Sequence, residues 1–334
     1  MSGVPPHVRM VGWLAGIPSV LMLVSIMAVG AVWANSVTAT GASDRTFSVG
    51  VQPTVEVDTT VGEVEVRSGP SGRVNVEERW SASSLTRAAA GAELKGIQGD
   101  MRQYGDLVQV RLSGLRLTSW AFNRSSSVRV TVPRGTTLRV TADSAEVRLS
   151  GLSGPLQVID RAGSVALESS RLTGDSQLHS RFGELRLTSV TVAGHTTLTS
   201  ELGRIAFEGS LAPGGSTLDV HEGAGAVAMT LPQPSDARAR VAVESGSFRA
   251  DPAWGFEVIS AGGSQTATAD LGTNPSGTVS ITMGAGAVSF EVAPASGVPV
   301  RSALAGPPVL RGVPHQFPRR PRASPPAGGP PPPA

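Results

Sequence analysis

Residues 154–223 read GPLQVIDRAGSVALESSRLTGDSQLHSRFGELRLTSVTVAGHTTLTSELGRIAFEGSLAPGGSTLDVHEG. Glycine returns at a fixed interval, as Gly154, Gly174, Gly194 and Gly214, and again as Gly163, Gly183, Gly203 and Gly223. Aliphatic residues keep step: Val158, Leu178, Leu198 and Leu218 form one series, and Val165, Leu185 and Ile205 another. Each unit holds two short alternating strands separated by a glycine turn. Strands this short cannot bury enough surface alone. Stacked about 4.8 Å apart, they share one core and pair everywhere except at the ends. A fixed period in this range marks a solenoid, in which each repeat packs only on its neighbours. The expected fold is all-β: a right-handed β-solenoid with rungs of about 20 residues.

Upstream of this stretch, Thr46 to Trp80 alternates in strand fashion, with a turn at Ser68-Gly69-Pro70-Ser71-Gly72. Residues 85–97 (LTRAAAGAELKGI) are the one short soluble helix expected, Ala-rich and broken by Gly91. Leu107–Leu112 and Ser127–Val132 read as a hairpin, with Trp120 and Phe122 in the loop 113–126. Downstream of Gly223 the period loosens through residues 227–231, 239–243, 246–249 and 284–290, as terminal repeats do when they cap exposed edges.

Residues 10–34 (MVGWLAGIPSVLMLVSIMAVGAVWA) carry no charge. As a helix they exceed the roughly 30 Å hydrocarbon core, with Trp13 and Trp33 near the two interfaces. This predicts one N-terminal transmembrane helix acting as a signal anchor, with residues 1–9 cytoplasmic and the body extracytoplasmic. Val32-Trp33-Ala34 also fits a signal cut after Ala34, although secretory apolar regions are usually shorter. Either way the body is exported. Residues 35–45 read as a polar linker, 46–295 as the solenoid, and 296–334 as a disordered tail rich in Pro and Arg, ending SPPAGGPPPPA.

The 334 residues include 40 Gly, 25 Pro and no Cys, which excludes disulfides and Cys-ligated zinc. The net charge of +2 conceals an asymmetry. The tail carries Arg301, Arg311, Arg319, Arg320 and Arg322 without an acid, whereas residues 35–295 are mildly acidic. The body therefore lacks the basic stripe that nucleic acid requires, and no nucleic-acid partner is expected.

Val130-Thr131-Val132-Pro133, the glycine-spaced short strands, and a later strand ending Leu231-Pro232 together resemble the bacterial "putative adhesin" β-strand-repeat family. The resemblance covers about Phe47 to Ala293 and is clearest over 128–250. It implies a β-solenoid, often behind an N-terminal membrane helix, and brings no catalytic residues with it.

When the rungs are aligned strictly on the glycine period, His179, His195 and His221 fall in different columns, which argues against a His-based metal site. One column holds Arg161, Arg181, Glu201 and His221, and another places Glu184 beside Arg204. These columns read as a polar strip for a glycan or peptide, or as cross-rung ion pairs on a solvated face, which is the simpler reading. Trp120 and Trp254 read as sugar-stacking platforms or as caps over the solenoid ends, with caps favoured. Asp143, Glu146, Asp160, Asp175 and Asp219 are scattered across columns, and no catalytic or phosphate-binding motif is present. No cofactor is expected. The expected function is a non-enzymatic, membrane-anchored adhesion or structural module. Its partners, besides the cytoplasmic membrane through residues 10–34, would be cell-wall polymer, a glycan or a neighbouring membrane protein. The rival readings are an envelope-stress or regulatory accessory protein and a carbohydrate-active enzyme.

Overall fold

The structure, a computed structural model, describes residues 36–113 and 123–293. Trp120, the expected membrane span 10–34 and the expected tail 296–334 lie outside them. No helix among the described residues is long and apolar enough to cross a membrane. The described chain is nearly all β. Its strands are β1 (Val37–Ser48), β2 (Thr54–Ser68), β3 (Arg73–Ser84), β4 (Gln98–Tyr104), β5 (Leu107–Ser113), β6 (Asn123–Val132), β7 (Thr137–Ser150), β8 (Ser153–Gly154), β9 (Leu156–Glu168), β10 (Arg171–Leu211), β11 (Thr217–Leu231), β12 (Ala237–Ala250), β13 (Glu257–Ala261), β14 (Ser264–Asp270) and β15 (Gly277–Val292). One helix, α1 (Arg87–Lys95), begins at Thr86, whose hydroxyl accepts from the Ala89 N–H at 3.2 Å as an N-cap. It runs through Gly91 without a break.

The strands lie in the order β1-β3-β6-β2-β7-β9-β10-β11-β15-β12-β14-β13. From β6 to β12 every neighbouring pair is parallel. The 41 residues of β10 cover two rungs in one run. Each long strand bends at a corner, and most of the interior corners hold glycine. A Cβ at Gly183 would come within 3.0 Å of the Gly163 carbonyl, and one at Gly225 within 3.0 Å of the Gly203 carbonyl; their φ values of 146° and 149° also favour glycine.

Alternation puts the aliphatics inside. Val57, Val140, Val158, Leu178, Leu198, Val220, Ile281 and Val241 form one buried column across the rungs. Val64, Val147, Val165, Leu185, Ile205, Val227 and Val288 form a second. A fully buried Val or Leu contributes roughly 1.5–3 kcal/mol relative to exposure, so these columns dominate the core.

The register corrects the strictly periodic alignment. Leu138 pairs with Leu156, Gln157 with Gln177 and Leu198 with Val220, so the rungs lengthen slightly along the chain. Val220 therefore continues the Leu198 column in place of Leu218, and Gly225 continues the corner column in place of Gly223. The extra residues sit in the turn between β10 and β11, around Pro213-Gly214-Gly215.

Chain order is not ladder order at either end. β2 lies between the β5 and β6 segments and β7, and β15 lies between β11 and β12. The expected hairpin of 107–112 with 127–132 does not form; both segments pair in parallel with β2. The expected linker 35–45 is instead mostly β1, an edge strand antiparallel to β3. Its short, largely exposed side chains carry no apolar pattern. Gly41 fits under the Trp80 indole, which an added Cβ would overlap. The antiparallel strands β1 and β3 close one end, and β14 and β13 close the other.

Candidate functional site

The outward positions form their own columns. On the face before the corner, Glu56, Arg139, Gln157 and Gln177 lie side by side on β2, β7, β9 and β10. The next rung within β10 brings in Thr197, and Asp219, Ser280 and Arg240 continue the column. A cleft of about 280 Å³ opens here, lined by Thr137, Arg139, Pro155, Gln157, Asp175 and Gln177, with Leu138 and Leu156 at its floor. Arg139 is held by Glu56 at 3.1 Å. Among the described residues, no side chain hydrogen-bonds or ion-pairs with Gln157, Gln177 or Asp175.

A smaller cleft of about 90 Å³, lined by Glu63, Glu65, Glu77, Arg79 and Arg129 among others, differs in chemistry. There Arg129 meets Glu65 at 2.6 Å and Glu77 at 3.9 Å, Arg79 meets Glu77 at 3.8 Å, and Arg148 on the neighbouring strand pairs with Glu63. Its charges satisfy one another and leave little for a ligand.

The residues singled out from sequence disperse. Arg181 pairs with Glu201 at 3.1 Å across one rung and lies over the Phe182 ring at 5.1 Å. Arg161 pairs with Asp143 at 3.0 Å. His221 sits beside Thr199, not Glu201, because this rung is longer than the one before it. That shift moves it into the column of His179, with Thr199 between them. Glu184 pairs along its own strand with Arg186 at 2.8 Å, and not with Arg204. The Arg204 Nε is buried without a partner. Trp254 is buried, stacked edge-on to Phe290 at 5.8 Å, and Phe256 bridges Phe290 and Phe248. This aromatic group covers the inner columns where the parallel ladder ends, at β12. His195 lies 3.6 Å from Asp219. Among the described residues no cluster of three His, Asp or Glu could hold a metal ion.

Sequence reading missed the buried acids. Asp160, Ser180, Ser200 and Glu222 continue the inward alternation to the corner and occupy one interior column. Burial pushes the Asp160 carboxyl up to about 6, against the backbone N–H groups of Ala145 and Ala162. Burial also raises Glu222, against the Ser200 hydroxyl and the N–H groups of Gly203 and Ala224. Those donors lie where the corner interrupts the ladder, although neither carboxylate has a hydrogen bond of ordinary geometry. Glu78, fully buried on β3, is pushed up to about 7 by burial and by Asp100, against Arg45. Shifted acids often mark catalytic sites. These three lie inside the protein, and neither cleft reaches them.

No family model and no curated protein matches the chain in sequence. Among solved structures, a "putative cell adhesion protein" from Clostridium sporogenes is similar at 10% identity and TM-score 0.33, over 76% of this chain and all of that one. A "putative adhesin" from Bacteroides fragilis is similar at 9% identity and TM-score 0.36, over 75% and 97%. Another "putative adhesin", from Parabacteroides merdae, is similar at 8% identity and TM-score 0.24, over 76% and 96%. Likenesses this distant assign no role to any residue.

Proposed function

We propose that the chain is a non-enzymatic, membrane-anchored, extracytoplasmic interaction module whose body is a right-handed β-solenoid. The observation that carries this is the ladder itself. Parallel strands stacked in near-regular register, with aliphatic columns inside and polar columns outside, suit a rigid display surface. The uncharged run 10–34 supports an anchor that leaves this surface outside the cell. The buried acids suit corner and core positions better than acid–base catalysis, which needs contact with a substrate.

The test combines topology with loss of function. Protease added to intact cells should remove the body while cytoplasmic markers survive. Deleting residues 46–295 should reduce surface adhesion or partner capture. A body protected in intact cells but cleaved after lysis would refute the export reading. Unchanged adhesion and capture in the deletion strain would refute the interaction reading.

A further inference from the structure

We propose that the cleft formed by Thr137, Arg139, Pro155, Asp175, Gln157 and Gln177 binds a neutral, polyhydroxylated chain, a glycan running across the strands along the Glu56-to-Arg240 column. This rests on the reading of the body as an exported interaction module. Three observations select the ligand class.

The free groups are the right kind. Gln157 and Gln177 present two primary amides on adjacent strands, about 4.8 Å apart. Each amide can donate and accept, which matches paired hydroxyls that also do both. The Asp175 carboxylate adds acceptors, and the partly exposed Pro155 ring offers an apolar surface for a sugar face. Among the described residues, none of the three polar groups is engaged by another side chain, unlike the ion-paired residues of the smaller cleft.

The charge is wrong for an anionic polymer. Glu56 already opposes Arg139 at 3.1 Å, and Asp175 adds a negative charge. The geometry is also wrong for an added peptide strand. The cleft lies on the face of the sheet, where backbone N–H and C=O groups are committed to the β7–β9–β10 ladders, whereas strand addition needs an open edge.

The column also continues past the cleft. Thr197, Asp219 and Ser280 follow at the same spacing, so polar side chains continue at every rung, although Thr197 and Asp219 already meet His195 at 3.2 and 3.6 Å and the unengaged groups are those of the cleft. That step is close to the rise of one residue in an extended β-1,4-linked glycan. The cleft volume lies at the lower edge of the roughly 300–1,000 Å³ typical of small-ligand pockets, so it holds a short stretch of chain. Affinity would build through successive contacts.

The experiment uses the full chain in mild detergent, titrated calorimetrically with cellotetraose and chitotetraose. A tetragalacturonate and an uncharged Gly/Ser/Gln peptide serve as the anionic and peptide arms. At least one neutral tetrasaccharide should bind. Gln177→Ala should weaken it about fivefold, as expected for one hydrogen-bonding group, and Q157A/Q177A by more than about tenfold. Arg249→Ala, at the far end of the ladder, should leave it unchanged. Unaltered circular dichroism and melting would show that the variants fold. Three results would overturn the site: no neutral binding up to about 10 mM, equal binding by the double variant, or preference for the anionic or peptide probe. The underlying function stands or falls separately. Adhesion lost on deletion of 46–295 together with any of those three calorimetric results sinks the site alone. Saccharide binding with unchanged adhesion in the deletion strain sinks the adhesion reading alone.

Discussion

Replacing Glu78 with Gln should stabilise the protein above neutral pH and flatten its pH dependence. Glu78 has no exposed surface, and neither carboxylate oxygen has a hydrogen-bond partner. It lies between Ser43 of β1 and Val128 of β6, and Gly99 of β4 packs against its carboxylate. Burial is the main reason its pKa rises from 4.5 to about 7; Asp100 adds to the rise and Arg45 opposes it. The folded state therefore holds this proton more tightly than the unfolded state does. The resulting stabilisation is full below pH 4.5 and is lost as pH rises towards 7. At about 1.4 kcal/mol per pKa unit, on the order of 2–3 kcal/mol should disappear between about pH 5 and 8. Gln keeps the shape and stays neutral, so Glu78→Gln should recover most of that at pH 8. The gain should be roughly 5–10 °C in melting temperature, with little change at pH 5. Asp160 and Glu222 are raised in the same direction, so a residual slope should remain in the variant. The assay is thermal unfolding of both proteins by circular dichroism from pH 5 to 8. If Glu78→Gln melted lower than wild type at pH 8, or left the slope unchanged, Glu78 would be ionised and paired in the fold and the reasoning would fail.

Other perturbations should separate core, corner and surface. Leu198→Ala should cost about 2–5 kcal/mol in chemical denaturation, because Leu198 is fully buried in a continuous column. Arg181→Ala should cost less than about 1 kcal/mol in the same assay, although it removes both the Glu201 pair and the Phe182 contact, since both ion-pair partners are largely exposed. Gly183→Ala should prevent accumulation of folded protein, measured as soluble yield and far-ultraviolet dichroism, because the new Cβ meets the Gly163 backbone and the φ of 146° is strained for alanine. In hydrogen exchange, β15 should be protected nearly as well as β10 despite its position late in the described chain, whereas the edge strands β1 and β13 should exchange early.

The central rungs were legible because their period is short and their inward residues aliphatic: Val158, Leu178 and Leu198 align in the structure as they do in the sequence. The reading slipped one rung later. Matching Ile205-Ala206-Phe207 with Val227-Ala228-Met229 gives the true, longer step and places His221 beside Thr199. The insertion of β15 also left a trace. Gly-Ala-Gly-Ala-Val occurs at 223–227 and again at 284–288, and the two copies lie side by side. No comparable trace marks β2, whose partners lie far along the chain, Glu63 pairing with Ser127 and Val55 with Leu138. The interior acids were hidden by their chemistry rather than by their pattern. Asp160 has the inward parity of Val158, and Glu222 that of Val220, but a charged residue reads as surface until the corner that frees its backbone donors is known. The free amides at Gln157 and Gln177 were hidden because a polar outward residue looks the same whether its partner is a neighbour or solvent.

The fold separates the residues that fix its assembly from those that face outward. Inward parity and the corner glycines fix the register, since a Cβ at Gly183 or Gly225 would strike the rung beside it. A repeat array with sequential ends can fray from its last unit, because that unit has a neighbour on one side only. Here the strands that arrive from elsewhere in the sequence, β2 and β15, are each paired on both flanks. Freeing either of them must break a ladder on each flank and expose a valine- or isoleucine-bearing core strand. None of this constrains the outward columns, where side chains touch only solvent or one another. The same backbone can then carry mutually paired charges between β6, β2 and β7, and unengaged amides between β9 and β10, at no cost to the core. Binding chemistry is therefore to be sought where outward groups are left unpaired, and the Gln157–Gln177 cleft meets that condition.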